Sequence, residues 1–525
     1  MGWYESGWGL SLTVFLPLLG AAVVLAIPRA RETAIKATAL GFAAASFVAS
    51  IVVMALFDFG SGGFQMGTDL SWIPAIGSRY HIAVDGISLP LVVLSTFITL
   101  LCMVYSWNHW PEPHNPKAFL ALMLLLASGM VGTFVALDLV LFFILFELVL
   151  VPMYFMIGIW GDRTSIHLPG FKKPLESRLY AAIKFFLFTF FGSAFMLLGF
   201  LALYFRSGDA GGARTFDIVR LSEMGANGAF TGTFGFWVFF ALFLGFAVKV
   251  PMWPLHTWLP DAHTAAPTVG SVLLAAILLK LGSYGFIRIS LPILPQEAQR
   301  WAPAIAILAV IAIIYGSLAC LAQSDMKRLI AFSSVGHMGF VMLGISTLTE
   351  VGINAAIIGM VAHGVITGLL FFLAGSIQHR YHTREMARLG GNQKVLPILG
   401  GILAFAAIAS LGLPGLAGFW GEFMSLLGSF HPFAGANLAL FRTAMVLGSV
   451  GTVLTAGYLL WMLQRVNLGE VPEEWREKPF HDADRFELAA WVPLVLATLA
   501  IGVYPALVFG ATNDSVALLA RVFGG

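Results

Sequence analysis

Charge is what this sequence has least of. Only 11% of its 525 residues are Asp, Glu, Lys or Arg, less than half of the ~25% usual in soluble domains. Apolar residues reach 59% before its 56 glycines are added, against ~45–50% with glycine included in a soluble chain. A soluble multi-domain enzyme is excluded. Cysteine is nearly absent, with Cys102 and Cys320 each inside an apolar run. Such a pair offers no disulfide framework, no thiolate zinc site and no cysteine-ligated iron–sulfur cluster. No glycine-rich nucleotide loop stands in a strand–helix setting. An excess of one sign is missing too, because the formal net charge is +2. There is neither a basic footprint for nucleic acid nor an acidic tail. The chain reads as an integral membrane protein with no redox cofactor of its own.

What the sequence has instead is apolar length. A membrane helix needs ~20 mainly apolar residues, and fourteen runs qualify: 9–27, 34–57, 84–107, 118–136, 138–160, 180–205, 232–260, 266–290, 302–323, 327–346, 351–378, 395–430, 438–464 and 488–510. Barrel strands would be half as long and alternate in polarity, so the expected fold is all-α. The runs at 232–260 and 395–430 are too long for one plain span. Pro251, Pro254 and Pro260 interrupt the first, and Leu413-Pro414-Gly415 interrupts the second. The stretches between runs are loop-sized, leaving no soluble domain. No Lys or Arg precedes the first run, the reverse of a cleavable signal, so that segment is expected to be retained. Eighteen of the 29 basic residues fall in odd-numbered connections and eight in even-numbered ones or the C-terminal stretch. The positive-inside rule then places the odd connections in the cytoplasm and both termini outside it.

The remaining three basic residues, Lys184, Lys249 and Lys280, lie inside spans. Asp138, Glu147 and Glu422 join them within spans or at their edges. An ionised group at a helix centre costs roughly 2.5–3.5 kcal/mol on insertion scales. Glu147 is nine residues into its run, ~14 Å deep at 1.5 Å per residue and near the midplane of a ~30 Å core. Lys280, His337 and His363 are similarly central. A structural reading, in which ion pairs pin helices together, accounts for equal numbers of each sign. Packing in membranes does not need ionisable groups, however, because small residues suffice. Asp138 fits a helix cap best, and Lys184 is shallow enough to snorkel. Proton transfer accounts for the whole set. Burial loosens the proton of a lysine, a nearby carboxylate restores it, and histidine is the natural intermediate station. The proline breaks flank Lys249 and Glu422, as broken helices flank ion paths in many transporters.

Four stretches carry a resemblance. FELVLVPMYFMIGIWG (146–161), the run from Lys249 to Pro295 beginning KVPMWPLHTWLPDAHTAAP, FSSVGHMGFVMLGI (332–345) and LPGLAGFWGEF (413–423) resemble the antiporter-like membrane subunits of respiratory complex I, from about residue 80 to 465. The resemblance implies about fourteen transmembrane helices with two inverted five-helix repeats, each containing one broken helix. The implied division is 1–117 for three N-terminal helices, 118–290 and 302–464 for the repeats, and 465–525 for a cytoplasmic loop, the last span and a short tail. It further implies that Glu147 pairs with Lys249, that Lys280 is the central proton carrier, and that His337 and His363 continue the axis to Glu422 at the outer exit. His256, Lys184, Asp138 and the prolines 251, 254 and 414 are supporting positions. Related chains generally carry lysine where Glu422 stands; glutamate marks one type among them. The resemblance implies other membrane-arm subunits as partners, chiefly the neighbouring antiporter-like chains, with FMN, iron–sulfur clusters and quinone expected in partner subunits and a bacterial inner membrane around the complex. The insert TSIHLPGFKKPLES (164–177) departs from the pattern. A subunit of a multisubunit sodium/proton antiporter is the alternative within the family. A solute carrier would need a polar, aromatic substrate pocket at the breaks, and a passive anchor would need no mid-membrane ionisable groups.

Overall fold

The computed structural model describes residues 7–166, 174–209 and 213–524. Among these, thirteen helices are long and apolar enough to cross a membrane. All fourteen apolar runs carry helix, and the two numbers differ for physical reasons. Leu89–Tyr105 has 17 residues, and the run 395–430 is divided into Pro397–Ser410 and Ala417–Phe430, so none of these reaches full length. Conversely, the expected short tail is a helix, Ala506–Ala520, set off from Arg485–Val503 by Tyr504-Pro505.

Two five-element repeats follow Trp8–Ala26, Glu32–Leu56 and Leu89–Tyr105. The first comprises Pro116–Val135, Leu139–Trp160, Ser177–Asp209, the broken Gly232–Lys249/Trp258–Ala265, and Thr268–Ile293. The second comprises Pro295–Leu321, Met326–Ser346, Glu350–Tyr381, the broken Pro397–Ser410/Ala417–Phe430, and Leu438–Val466. The fourth element is the broken one in both. Prolines lack the N–H that a continuing helix needs, so the backbone leaves the helix at 250–257 and again at 411–416. In the second break Gly412 adopts φ +77°, and a Cβ there would lie 3.1 Å from Glu422 Oε2. That left-handed conformation favours glycine at this point.

The stretch 58–83 is not a plain loop. Gln65–Ile73 and Ser78–Val84 form an antiparallel hairpin, and its second strand is tied to the first repeat. His81 carbonyl accepts from Leu137 N–H at 2.9 Å, and Ile82 forms a backbone bridge with Ala136. The C-terminal helix packs beside this hairpin, since Cβ atoms on Gly62 or Gly86 would meet the Asp514 or Ala511 carbonyl. This is the hairpin face. At the opposite face Arg384 binds Asp162 (2.7 Å), Asp325 (3.0 Å) and the Thr264 carbonyl (2.9 Å), joining four odd-numbered connections. Odd and even connections thus segregate to opposite sides. Of the insert, Ser165–Ile166 pairs with Leu175–Glu176, while 167–173 lie outside the described residues.

Candidate functional site

Lys280 sits at the centre of the most enclosed span. Its side chain is fully buried, and π-helical turns at Leu274–Leu278 and Phe286–Ser290 flank it. A π turn shifts the i→i−4 ladder and releases a carbonyl. Here the Ala275 carbonyl accepts from Lys280 Nζ at 2.5 Å. The same Nζ lies 2.6 Å from His363 Nδ1, on the unbroken helix Glu350–Tyr381. The His363 and His337 rings meet edge to face with centroids 5.8 Å apart. His337 Nδ1 is 3.0 Å from Glu422 Oε1, and its Nε2 is 3.1 Å from Ser410 Oγ. His337, His363, Ser410 and Glu422 line one cavity of about 30 Å³, room enough for a water. His363 Nε2 and Glu422 Oε2 are the atoms of this group without a hydrogen bond. The result is a line of exchangeable groups from mid-span to the second break.

The first repeat is arranged differently. Glu147 accepts a short hydrogen bond from Ser193 Oγ. Lys249, at the end of the first half-helix, has no hydrogen bond; its Nζ stands 4.6 Å over the Phe146 ring. The expected Glu147–Lys249 ion pair is therefore not closed. Each group instead has a neutral neighbour one residue or one helix away, and the charges face each other without contact.

The fold and the residue line frame the comparison with known proteins. The NADH:quinone oxidoreductase/Mrp antiporter transmembrane model matches residues 136–455, and the amino-terminal model of NADH-ubiquinone oxidoreductase chain 4 matches 33–133. The chain belongs to the NADH:quinone oxidoreductase/Mrp antiporter family. It is 42% identical to NADH-quinone oxidoreductase subunit M of Rhodobacter capsulatus, over 98% of this chain and 96% of that one. A chain of respiratory complex I from Thermus thermophilus with bound NADH superposes with a TM-score of 0.84 at 28% identity, covering 98% of this chain and 100% of that one. The Mrp complex from Dietzia shares the fold, with a TM-score of 0.82 at 20% identity, 98% of this chain and 99% of that chain.

As a member of this family the chain keeps three of its expected supporting residues away from the line. Asp138 caps its helix, accepting from Val140 and Leu141 N–H, and also binds Ser78 Oγ and Arg79 N–H of the hairpin. It is a structural lock. Lys184 pairs with Asp261 at 2.7 Å on the second half of the first broken helix. His256 packs its ring on Tyr315, toward the second repeat. Pro251, Pro254 and Pro414 stand in the breaks. Several groups escaped the sequence reading. Ser193 and Ser410 gave no signal, because hydroxyls are common in membrane helices. Lys327 was counted as a connection residue, yet it is buried and donates to the Ala266 carbonyl at 2.5 Å. It lines a cavity of about 420 Å³ opening at the Arg384 face, together with Asp162, Thr268, His379 and Arg384. Burial raises the Asp162 carboxyl, but hydrogen bonds from Thr164 and the Arg384 charge outweigh it and hold the group below its ordinary range. His263, fully buried, stacks on Phe371 at 4.5 Å between that cavity's Ala265 wall and the interior.

Proposed function

We propose that this chain is a proton-translocating membrane subunit of an NADH:quinone oxidoreductase, of the subunit M type. The observation that carries it is the continuous line Lys280–His363–His337–Glu422, with heavy-atom steps of 2.6 Å and 3.0 Å at its two ends and a water-sized cavity in the middle. Lys280 Nζ and His363 Nδ1 share one proton; water between the histidine rings carries it on, and His337 passes it to the Glu422 carboxylate. The cavity at the Arg384 face supplies protons from the cytoplasm, and Glu422 lies toward release. Opening and closing of the Glu147–Lys249 pair is the switch that this reading assigns to the first repeat. The units that work together are 118–290 and 302–464, in a bacterial inner membrane with both termini outside the cytoplasm.

Electron transfer belongs to partner subunits that carry FMN, iron–sulfur clusters and quinone. This chain contributes proton movement and no cofactor chemistry. The sodium/proton antiporter reading is less supported, since likeness to the Mrp complex is at 20% identity against 42% for the subunit M relative. The deciding experiment is proton pumping by vesicles containing the whole complex with Lys280→Met. Methionine keeps the bulk without a proton site. Pumping per assembled complex is expected to fall to a small residue; normal pumping overturns the reading.

A further inference from the structure

A row of polar residues lies on the Lys280 helix between Lys280 and the hairpin face. Residues four apart share a helix face, so Lys280, Tyr284 and Arg288 form a row on Thr268–Ile293, covering ~12 Å over eight residues. At the far end Asp85 follows the hairpin's last residue, Val84. All three side chains beyond Lys280 are buried: Tyr284 is 1% exposed, Asp85 4% and Arg288 7%. Their hydrogen bonds radiate from Arg288, which donates to both neighbours. Arg288 Nη2 donates to Asp85 Oδ1 at 2.6 Å, and its Nε donates to Tyr284 Oη at 2.9 Å. Tyr284 Oη in turn donates to the Phe134 carbonyl at 2.6 Å. Asp85 Oδ1 also accepts from the Ser88 N–H at 2.9 Å and the Ile87 N–H at 3.2 Å. The guanidinium lies between the rings of Tyr284 and Phe64, 5.3 Å and 4.9 Å from their centroids.

Nothing in this row can hand a proton on. A guanidinium does not give up its proton in a protein. The tyrosine's proton is donated to a backbone carbonyl, and its oxygen already accepts from Arg288. The positive end of the pair faces Tyr284 and hence Lys280, while the carboxylate Oδ1 accepts from the guanidinium and two amides. A helix staple would explain an ion pair, but not its place two turns beyond Lys280 on the same face.

We propose that Arg288, positioned by Asp85 and Tyr284, is a proton-tight stop that closes the direct route from Lys280 to the hairpin face. The proton on Lys280 then leaves sideways, through His363 into the second repeat. This rests on the carrier role of Lys280 proposed above.

The test uses the whole complex in sealed vesicles with an imposed proton gradient and no NADH. Arg288→Gln combined with Asp85→Asn removes both charges while keeping hydrogen-bonding groups, so no buried charge is orphaned. The gradient is expected to collapse ~10-fold faster per assembled complex, since a unit charge a few ångströms from a path is a strong barrier. Adding Lys280→Met should abolish the excess leak. Arg288→His with Asp85→Asn, which puts a titratable station in the same place, should leak as well and covers failed assembly of the first pair. Vesicles of either assembled pair that hold the gradient like wild type overturn the stop. So does a leak that survives Lys280→Met, because the route would then bypass Lys280. Lys280→Met alone, scored for NADH-driven pumping, reports separately on the carrier role.

Discussion

Glu147 and Glu422 are both buried carboxylates near a helix break, yet their neighbours give them different work. Glu147 meets a serine hydroxyl and faces a lysine that it does not touch. Its charge acts at a distance, so Glu147→Gln should leave the complex assembled and cut pumping per assembled complex by ~10-fold, less than the ~10²–10⁴-fold of a group that transfers the proton itself. A purely structural role predicts the opposite, with abundance falling and pumping per complex kept. Glu422 touches His337 directly and keeps one oxygen free at the cavity. Glu422→Asp keeps the titrating group and should retain partial pumping, whereas Glu422→Gln should lose most of it with assembly intact. Normal pumping by Glu422→Gln would make the residue a structural partner of the second break. The line Lys280–His363–His337–Glu422 that the structure brings together stood out in the sequence because ionisable groups are costly in a membrane. The hydroxyls beside Glu147 and His337, Ser193 and Ser410, are cheap to bury and did not. Arg288 lies near the end of the run 266–290, where an arginine normally reaches the surface. Its partner Asp85, distant in sequence, holds it in.

At the scale of elements, Glu422 depends on how closely its half-helix approaches Glu350–Tyr381. A Cβ on Gly421 would come within 2.6 Å of Gly359 Cα, backbone against backbone. Gly421→Leu must therefore push Ala417–Phe430 away, at a cost of ~1–3 kcal/mol for overpacking, and separate Glu422 from His337. Melting temperature and pumping should fall together, while Gly401→Ala, with nothing within 4 Å of its Cβ, should change neither. The span count was legible because apolar length is decisive in lipid. The hairpin was not, because Gln65–Ile73 mixes Asp69, Ser71 and Gly67 into its strand, and its partner strand Ser78–Val84 is fixed by contacts to Leu137 and Asp138 that no local pattern announces. The C-terminal helix was missed because its amide and hydroxyl residues lower its apolar signal: Thr512 and Ser515 are buried against Asn354 and Gly62.

For the whole molecule, the sidedness of the path rests on basic-residue bias. A cysteine introduced between residues 384 and 394 should react with impermeant thiol reagents only from the cytoplasm, and one near residue 225 only from the other side; reversed labelling would turn Glu422 toward the entry. The Arg384 junction also gives a pH signature. The Asp162 carboxyl is held below its ordinary value, so its contribution is complete above that value and disappears as pH falls through the lowered one. Asp162→Asn should melt earlier than wild type at neutral pH, with the two melting curves converging in strong acid. A last consequence comes from burial. The most apolar window of Thr268–Ile293 is 100% enclosed by protein and that of Glu350–Tyr381 94%, against 33% for Glu32–Leu56. The helices bearing Lys280 and His363 thus have protein, not lipid, as their solvent. A thinner or thicker bilayer is answered by tilting of lipid-facing helices, which here are the outer ones. Relay geometry is insulated from the membrane's elastic state, so turnover of reconstituted complex should vary little with acyl-chain length wherever the outer helices remain folded.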